Sequence, residues 1–313
     1  VAVSTRNDAN LHAFADKHGV EQRFTDYCEM FEKAKPDLVH VNTPPDVRLE
    51  VMAAAEAAKI PALIVEKPLA IEREDYEAIE AFAKTALVKI AINHQLHFHP
   101  RRQQLQQMVK SGEIGEVRMM DASAGMNMAY QGTHTLEAMS AFNPNRKPLH
   151  IFGQISGTEG LKETVKKHFA PDQTMASIVY DNGVSGLLRC GPNAPRVLPD
   201  DERTNVHKRI AVYGTKGFVH WTMWSWEVGV NGRIQSGTHS YGDEDILGQA
   251  AMTEAMFDWL EDDGKVHPLN LDNALRDFKT VLNIYTSALE KRPLSLDDAP
   301  AEGLIEALRN IGS

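Results

Sequence analysis

The stretch "ALIVEKPLAI" (residues 62–71) decides the fold. Four apolar residues, two of them β-branched (Ile64 and Val65), run without a polar break into Glu66-Lys67 and then Pro68. Such a run reads as a strand buried on both faces, the kind found in a parallel sheet covered by helices. Pro68 stops it, because proline brings no N–H to a strand ladder. A buried strand has little use for either charge. The strand therefore surfaces at its tip, or the tip carries a pair of working groups.

Outward from this strand, "VAVS" (1–4), "LVHV" (38–41) and "VKIAI" (88–92) are comparable runs, also expected to be buried on both faces. Helical patterns lie between them. "DVRLEVMAAAEAAK" (46–59) repeats Val47, Val51, Ala54, Ala55 and Ala58 at helical spacing, with Asp46 as the expected N-cap. "EDYEAIEAFAKTAL" (74–87) repeats Tyr76, Ile79, Ala83 and Leu87. This alternation predicts an α/β unit with a parallel, doubly wound sheet.

After "FHP" (98–100) the rhythm changes. A helix in "RRQQLQQMVKSG" leads into the strand-like "EVRMMDASA", and hairpins follow at Asn182-Gly183, Gly214 to Gly217 and Asn231-Gly232. Two helices, around 246–263 and 271–291, are expected to close the chain. The second half thus reads as α+β with a largely antiparallel sheet. Without repeats, low-complexity tracts or a Gly/Ser linker, the two halves are expected to pack closely.

Composition narrows the function. The 313 residues are 42% hydrophobic and 24% charged, enough for a sizeable core. A formal charge of −10 argues against nucleic-acid binding, which needs a basic face. No run approaches the roughly 18 apolar residues of a membrane span. The opening "VAVSTRNDAN" shows no basic segment followed by an apolar stretch. With Cys28 and Cys190 as the only cysteines, there is no disulfide framework, and a reducing cytoplasm is the expected setting.

In an open parallel sheet, ligands bind beyond the carboxyl ends of the strands. The first strand runs into Ser4-Thr5-Arg6 and the second into Asn42-Thr43-Pro44-Pro45. The third runs into Glu66-Lys67-Pro68 and the fourth into Asn93-His94-Gln95. Every exit is polar or carries a turn-forming proline.

The arrangement "VNTPPDV…IVEKPLA…SGEIGEV" resembles the glucose-fructose oxidoreductase / inositol dehydrogenase / rhizopine-catabolism family (Gfo/Idh/MocA). The likeness extends to "ALRDFKTVLNIYTSALEKRPLSL" near the end of the chain. It implies a Rossmann-type dinucleotide-binding domain over residues 1–98 and an α+β substrate and oligomerisation domain over 99–313. It also implies an NAD(P)-dependent oxidoreductase moving hydride to or from a sugar or cyclitol hydroxyl carbon, working as a homo-oligomer (dimer or tetramer). Lys67 would reach the substrate hydroxyl and the nicotinamide ribose, behind a Lys-Pro bond that is often cis, and Glu66 would orient it. The cofactor contacts implied are Ser4, Thr5, Arg6, Asn42, Thr43, Pro44, Pro45, Glu66, Lys67, Asn93 and Gln95. With Thr5 and Arg6, and no carboxylate, after the "VAVS" strand, NADP is expected over NAD.

The family's second element, Asp-x-x-x-His-x-x-Asp, finds its match in "YQGTHTLE". His134 is the implied proton acceptor or donor, Glu137 is in register, and Tyr130 stands where the aspartate would be. Tyr130 can donate or orient through its hydroxyl but supplies no negative charge. That departure keeps open a second reading, a non-catalytic NAD(P)- and sugar-sensing regulator of the same fold. The segment from Gly115 to His134 is shorter than is usual in the family, and Arg48 stands where a histidine often follows "TPP". The G-x-G-x-x-G fingerprint is absent, and the family carries it ahead of the strand that "VAVS" represents. The expectation is a chain truncated at its N-terminus, its first strand and glycine loop missing.

The cluster "NHQLHFHP" places His94, His97 and His99 close together. If the strand continued, His97 and His99 would share a face and His94 would point away, which makes a metal site or a zinc-dependent hydrolase the weaker reading. No metal is expected. The tryptophans of "HWTMWSW" read as sheet packing or a subunit face.

Overall fold

The computed structural model describes residues 1–162, 166–198 and 200–311. Five parallel strands form two sheets. β1 (Ala2–Ser4) pairs with β2 (Gln22–Phe24) across the connecting helix α1 (Asp8–His18), and α2 (Tyr27–Ala34) follows. β3 (Leu38–Val41), β4 (Ala62–Glu66) and β5 (Lys89–Asn93) form the second sheet, connected by α3 (Arg48–Ala57) and α4 (Arg73–Ala83).

The burial of β4 explains its apolar run. Leu63 and Val65 face one core with Val51, Met52 and Ile79. Ala62 and Ile64 face a second, against Met252, Met256 and Leu269. Side chains alternate across a strand, so a strand covered on both sides needs apolar residues at every position. Methionines 252 and 256 belong to α7 (Tyr241–Glu261), which returns from late in the chain to cover this face. The flanking strands are less covered. β1 is half-buried throughout, Val1 is fully exposed, and β3 exposes His40.

The second half is built on an eight-stranded sheet. Its strands are β6 (Val117–Ala124), β7 (Pro148–Ser156), β8 (Gln173–Tyr180), β9 (Ser185–Cys190), β10 (Lys208–Gly214), β11 (Gly217–Thr222), β12 (Ser225–Val230) and β13 (Arg233–Thr238), in the order β13-β12-β11-β10-β6-β9-β8-β7. All neighbours are antiparallel except β6 and β9. At Asn231 and Gly232 the φ angles of 53° and 73° build the hairpin turn that this dipeptide favours. The helices of this half begin with α5 (Pro100–Lys110) and α6 (Thr133–Phe142). α8 (Leu271–Glu290) lies along β7 so closely that a Cβ at Gly153 would fall 1.9 Å from the Ile284 carbonyl oxygen. Trp221 is buried in the core, with Trp224 and Trp226 packed against it. No helix of the described residues is long and apolar enough to cross a membrane.

Several local expectations are corrected. Asp46 does not cap α3, because Pro45–Val47 forms a 3-10 turn and the regular helix begins only at Arg48. The proline's fixed φ suits that tighter first turn. Leu87 is not on the buried face of α4, which ends at Ala83. The amides of Thr85 and Ala86 both turn back onto the Phe82 carbonyl, and Leu87 is left 88% exposed. β5 does not continue through the histidines, because Gln95–Phe98 is a 3-10 turn. A third helix, α9 (Leu304–Ile311), follows the two expected at the end.

Candidate active site

β3, β4 and β5 end together. Val41 pairs with Val65, Val65 with Ile92 and Glu66 with Asn93, so Asn42, Glu66 and Asn93 fall along one sheet edge. The Asn93 amide donates to Glu66 at 2.9 Å. The chain then turns through a cis Lys67-Pro68 peptide. Arg48, 1% exposed, fastens the edge: it donates twice to the Thr43 carbonyl (3.1 and 2.9 Å) and once to that of Lys67 (3.3 Å).

Lys67 is 8% exposed, and its Nζ lies 4.0 Å from a Glu66 carboxylate oxygen. The same Nζ donates to the backbone carbonyl of Tyr130 at 2.5 Å. Tyr130 belongs to a π-helical turn, Met128–Gly132, that leads directly into α6. Asn127 starts the turn by accepting from the Tyr130 amide (3.1 Å). Gly132 lets the turn pack tightly: a Cβ there would fall 2.6 Å from Met128 Sδ and 2.7 Å from Cys190 Sγ. His134 follows in the first turn of α6, 5% exposed. Its ring sits edge-on to His94, with centroids 5.1 Å apart, and its Nδ1 is buried without a partner. One rigid turn thus couples the strand lysine to the helix histidine.

Burial dominates the electrostatics. It pushes the Lys67 ammonium below its ordinary pKa, with Arg48 and Lys166 adding to the fall and Glu66 opposing it. It raises Glu66, against Lys67 and Arg48. His134 is held well below the usual histidine range by burial, with His94, Lys67 and Lys208 adding, and His94 is lowered to about 4. Burial would raise Glu137, but Arg102 and His97 overcome it and hold the carboxylate at about 2. Both oxygens of Glu137 are engaged, by Arg102 and by His97 Nδ1, each at 2.7 Å.

The structure gathers Thr43, Glu66, Lys67, Asn93, Tyr130 and His134 around the end of β4. It does not gather every residue singled out from the sequence. Tyr130 meets Lys67 through its carbonyl, while its ring lies against His168 with centroids 4.8 Å apart. The Gln95 amide turns away to Asp245 (3.1 Å). Ser4, Thr5 and Arg6 lie at the end of β1, in the separate two-stranded sheet. The three clustered histidines part company. His94 meets His134, His97 meets Glu137, and His99 packs among Trp221 and His239. Among the described residues, no group of three or more His, Cys, Asp or Glu is placed to hold a metal.

Sequence reading missed Lys208, Arg102 and His168. Lys208 opens β10 and is 4% exposed, donating to the Gln131 side chain (2.7 Å) and the Asn205 carbonyl (2.5 Å). Its one sequence signal is a lysine at the head of an apolar strand, "KRIAVYG" (208–214).

A nicotinamide dinucleotide fits this edge by a direct observation. Thr43 Oγ1, Asn93 Oδ1 and Arg48 Nη1 are buried polar atoms without partners, along strand ends where an open parallel sheet receives its ligand.

Residues 1–94 match the profile of the oxidoreductase family with an NAD-binding Rossmann fold, GFO_IDH_MocA. The chain is 23% identical over 235 residues to a trans-1,2-dihydrobenzene-1,2-diol dehydrogenase from Bos taurus, a match over 69% of this chain and 64% of that protein. It is 30% identical over 127 residues to a dTDP-3,4-didehydro-2,6-dideoxy-alpha-D-glucose 3-reductase from Saccharopolyspora spinosa, over 40% of this chain and 37% of that one. In fold it is similar to an oxidoreductase from Agrobacterium radiobacter, solved with NAD+, L-tartaric acid and magnesium. There the TM-score is 0.78 at 18% identity, over 95% of this chain and 90% of the other. The profile match places residues 1–94 in the oxidoreductase family with an NAD-binding Rossmann fold, and across the whole chain the likeness to solved oxidoreductases is one of fold.

Proposed function

We propose that the chain is an NAD(P)-dependent dehydrogenase or reductase acting on a CH–OH carbon of a sugar, cyclitol or related diol. Residues 1–98 would carry the cofactor and 99–313 the substrate. The observation that carries this reading is the hydrogen bond from Lys67 Nζ to the π-helical turn that positions His134. Thr43, Glu66, Lys67 and Asn93 would hold the nicotinamide end of the cofactor, which when bound supplies the hydride acceptor or donor.

The chain's own work is on the proton. When an alcohol is oxidised, its hydroxyl proton must leave as hydride departs from the carbon. His134, neutral at physiological pH, offers an unprotonated ring nitrogen as acceptor. Lys67, whose ammonium burial destabilises, orients the hydroxyl and relays its proton. The Tyr130 carbonyl keeps its ammonium in place. Glu137, locked by Arg102 and His97, fixes the helix that bears His134. The sensor reading rests on Tyr130 in place of a carboxylate. Sugar-dependent reduction of the cofactor by this chain tests for turnover, and its absence across a broad panel of sugars, cyclitols and diols rejects the enzyme reading.

NADP is the proposed preference. Arg6 is exposed just after β1, with Ser4 and Thr5 before it and no carboxylate among them. A cation there favours a 2′-phosphate through charge-assisted hydrogen bonds. The expected result is kcat/KM at least about tenfold higher with NADP than with NAD, reduced to near parity in Arg6→Ala. An NAD preference in the parent protein overturns it.

A further inference from the structure

Two lysines converge on consecutive residues of the π-helical turn. Lys67 Nζ donates to the Tyr130 carbonyl, and Lys208 Nζ donates to the side-chain oxygen of Gln131. Their surroundings differ. Lys67 has Glu66 4.0 Å away, whereas no carboxylate among the described residues lies within ion-pair distance of Lys208, whose two partners are neutral oxygens. A buried ammonium without a counter-ion opposes folding, and burial with the charge of Lys67 lowers this one to about 7, with Asp245 opposing from farther off. Gln131 accepts from Lys208 through Oε1, which leaves its Nε2 as a second donor on the same side chain.

The charge balance around the turn points the same way. Glu66 stands beside Lys67, and Glu137 is consumed by Arg102 and His97. Arg48 and Lys208 have only neutral partners, and Lys166 lies over the Tyr130 ring at 5.9 Å. A chain of net charge −10 therefore keeps surplus positive charge at this site. Such a site draws in anions.

Resting on the dehydrogenase reading above, we propose that the substrate is a hydroxy acid, in which a carboxylate on the same molecule as the reacting hydroxyl is held by Lys208 and the Gln131 amide. A sugar acid satisfies both requirements. Lys67 and His134 then meet the hydroxyl while Lys208 meets the carboxylate, and the pair of anchors fixes which carbon faces the cofactor.

The test compares aldoses with their matching uronates and aldonates, for example D-glucose with D-glucuronate and D-gluconate, and includes D-glucose 6-phosphate. The expected result is kcat/KM about 30- to 10³-fold higher for the carboxylates, the range for satisfying a buried charge. In Lys208→Gln that ratio should fall toward one through KM, and Lys208→Arg should retain most of it. Melting temperature supplies an independent readout. Lys208→Met should melt higher than the parent at pH 6, where the buried charge is present. The gain should fade as pH rises from about 7, where the folded parent's lysine loses its proton, toward 10.5, where the unfolded chain's lysine does so too. A purely structural lysine would make Lys208→Met melt lower. Neutral sugars or the phosphate ester outperforming the carboxylates, a ratio unchanged in Lys208→Gln, or a lower melting temperature for Lys208→Met would overturn the inference while leaving the dehydrogenase reading standing. If nothing is turned over, calorimetric titration of D-glucuronate separates the two readings. Binding that requires Lys208 keeps the anion site and rejects the dehydrogenase, and no binding rejects both.

Discussion

Lys67→Ala is expected to lose about 10²–10⁴-fold in turnover, the range for a group that takes part in proton transfer. The side chain is 8% exposed, so its ammonium has few waters to share charge with. Two neighbours hold it in place: the Glu66 carboxylate 4.0 Å away and the Tyr130 carbonyl at 2.5 Å. Removing the amine takes away the cation facing the hydroxyl and also frees the turn ahead of His134. Lys67→Arg is expected to recover little. The site is shaped for a compact ammonium, and a guanidinium does not give up its proton near neutral pH. Cofactor affinity should change much less than turnover, because Thr43, Glu66 and Asn93 remain. Steady-state kinetics with a separate measurement of cofactor binding decides the matter. Near-parental turnover in Lys67→Ala would return this residue to a structural role at a strand tip.

How much of this was legible depended on whether the information was local. The "ALIV" run announced a strand covered on both faces, and Leu63/Val65 and Ala62/Ile64 do enter two different cores. Glu66 and Asn93, read as the exits of successive strands, pair in register at the sheet edge. β2 was not legible, because "QRF" has no apolar run and is half-exposed or more. Leu87 fitted a helical period that the chain abandons at a turn three residues earlier. Within the site, Lys67 and His134 stood out by their neighbours in sequence. The way they are joined did not. Tyr130 offers its carbonyl, a group every residue possesses, because the backbone there forms a π-helical turn, which side-chain identity does not announce. Lys208 and Arg102 reach the site from a distant strand and a distant helix. Their chemistry is set by burial and by missing or present counter-ions, which only the folded chain defines.

Breaking the Glu137 triad is expected to produce the largest loss of stability, about 3–5 kcal/mol for Glu137→Gln. Glu137 is 5% exposed and Arg102 1% exposed, so neither charge has water to fall back on. Arg102 comes from α5, Glu137 from α6 and His97 from the turn after β5, so one carboxylate ties three elements together. The Gln variant keeps the shape and removes the charge, leaving the guanidinium buried and uncompensated. Arg102 Nε already lacks a partner, so nothing nearby makes up the difference. The double change Arg102→Met with Glu137→Leu should lose much less than either single change, because it removes both charges and leaves none unpaired. The dependence on pH follows from the carboxylate being held at about 2, below its ordinary 4.5. Its contribution is complete above about 4.5 and is lost as pH falls through about 2. The parent protein should lose stability across that window more steeply than Glu137→Gln. Denaturant unfolding of the parent, both single variants and the double variant, repeated at pH 7 and pH 3, measures every term. A Glu137→Gln loss below about 1 kcal/mol at pH 7, the size of an exposed surface pair, would mean that the triad is solvated in solution and does not anchor the helix of His134.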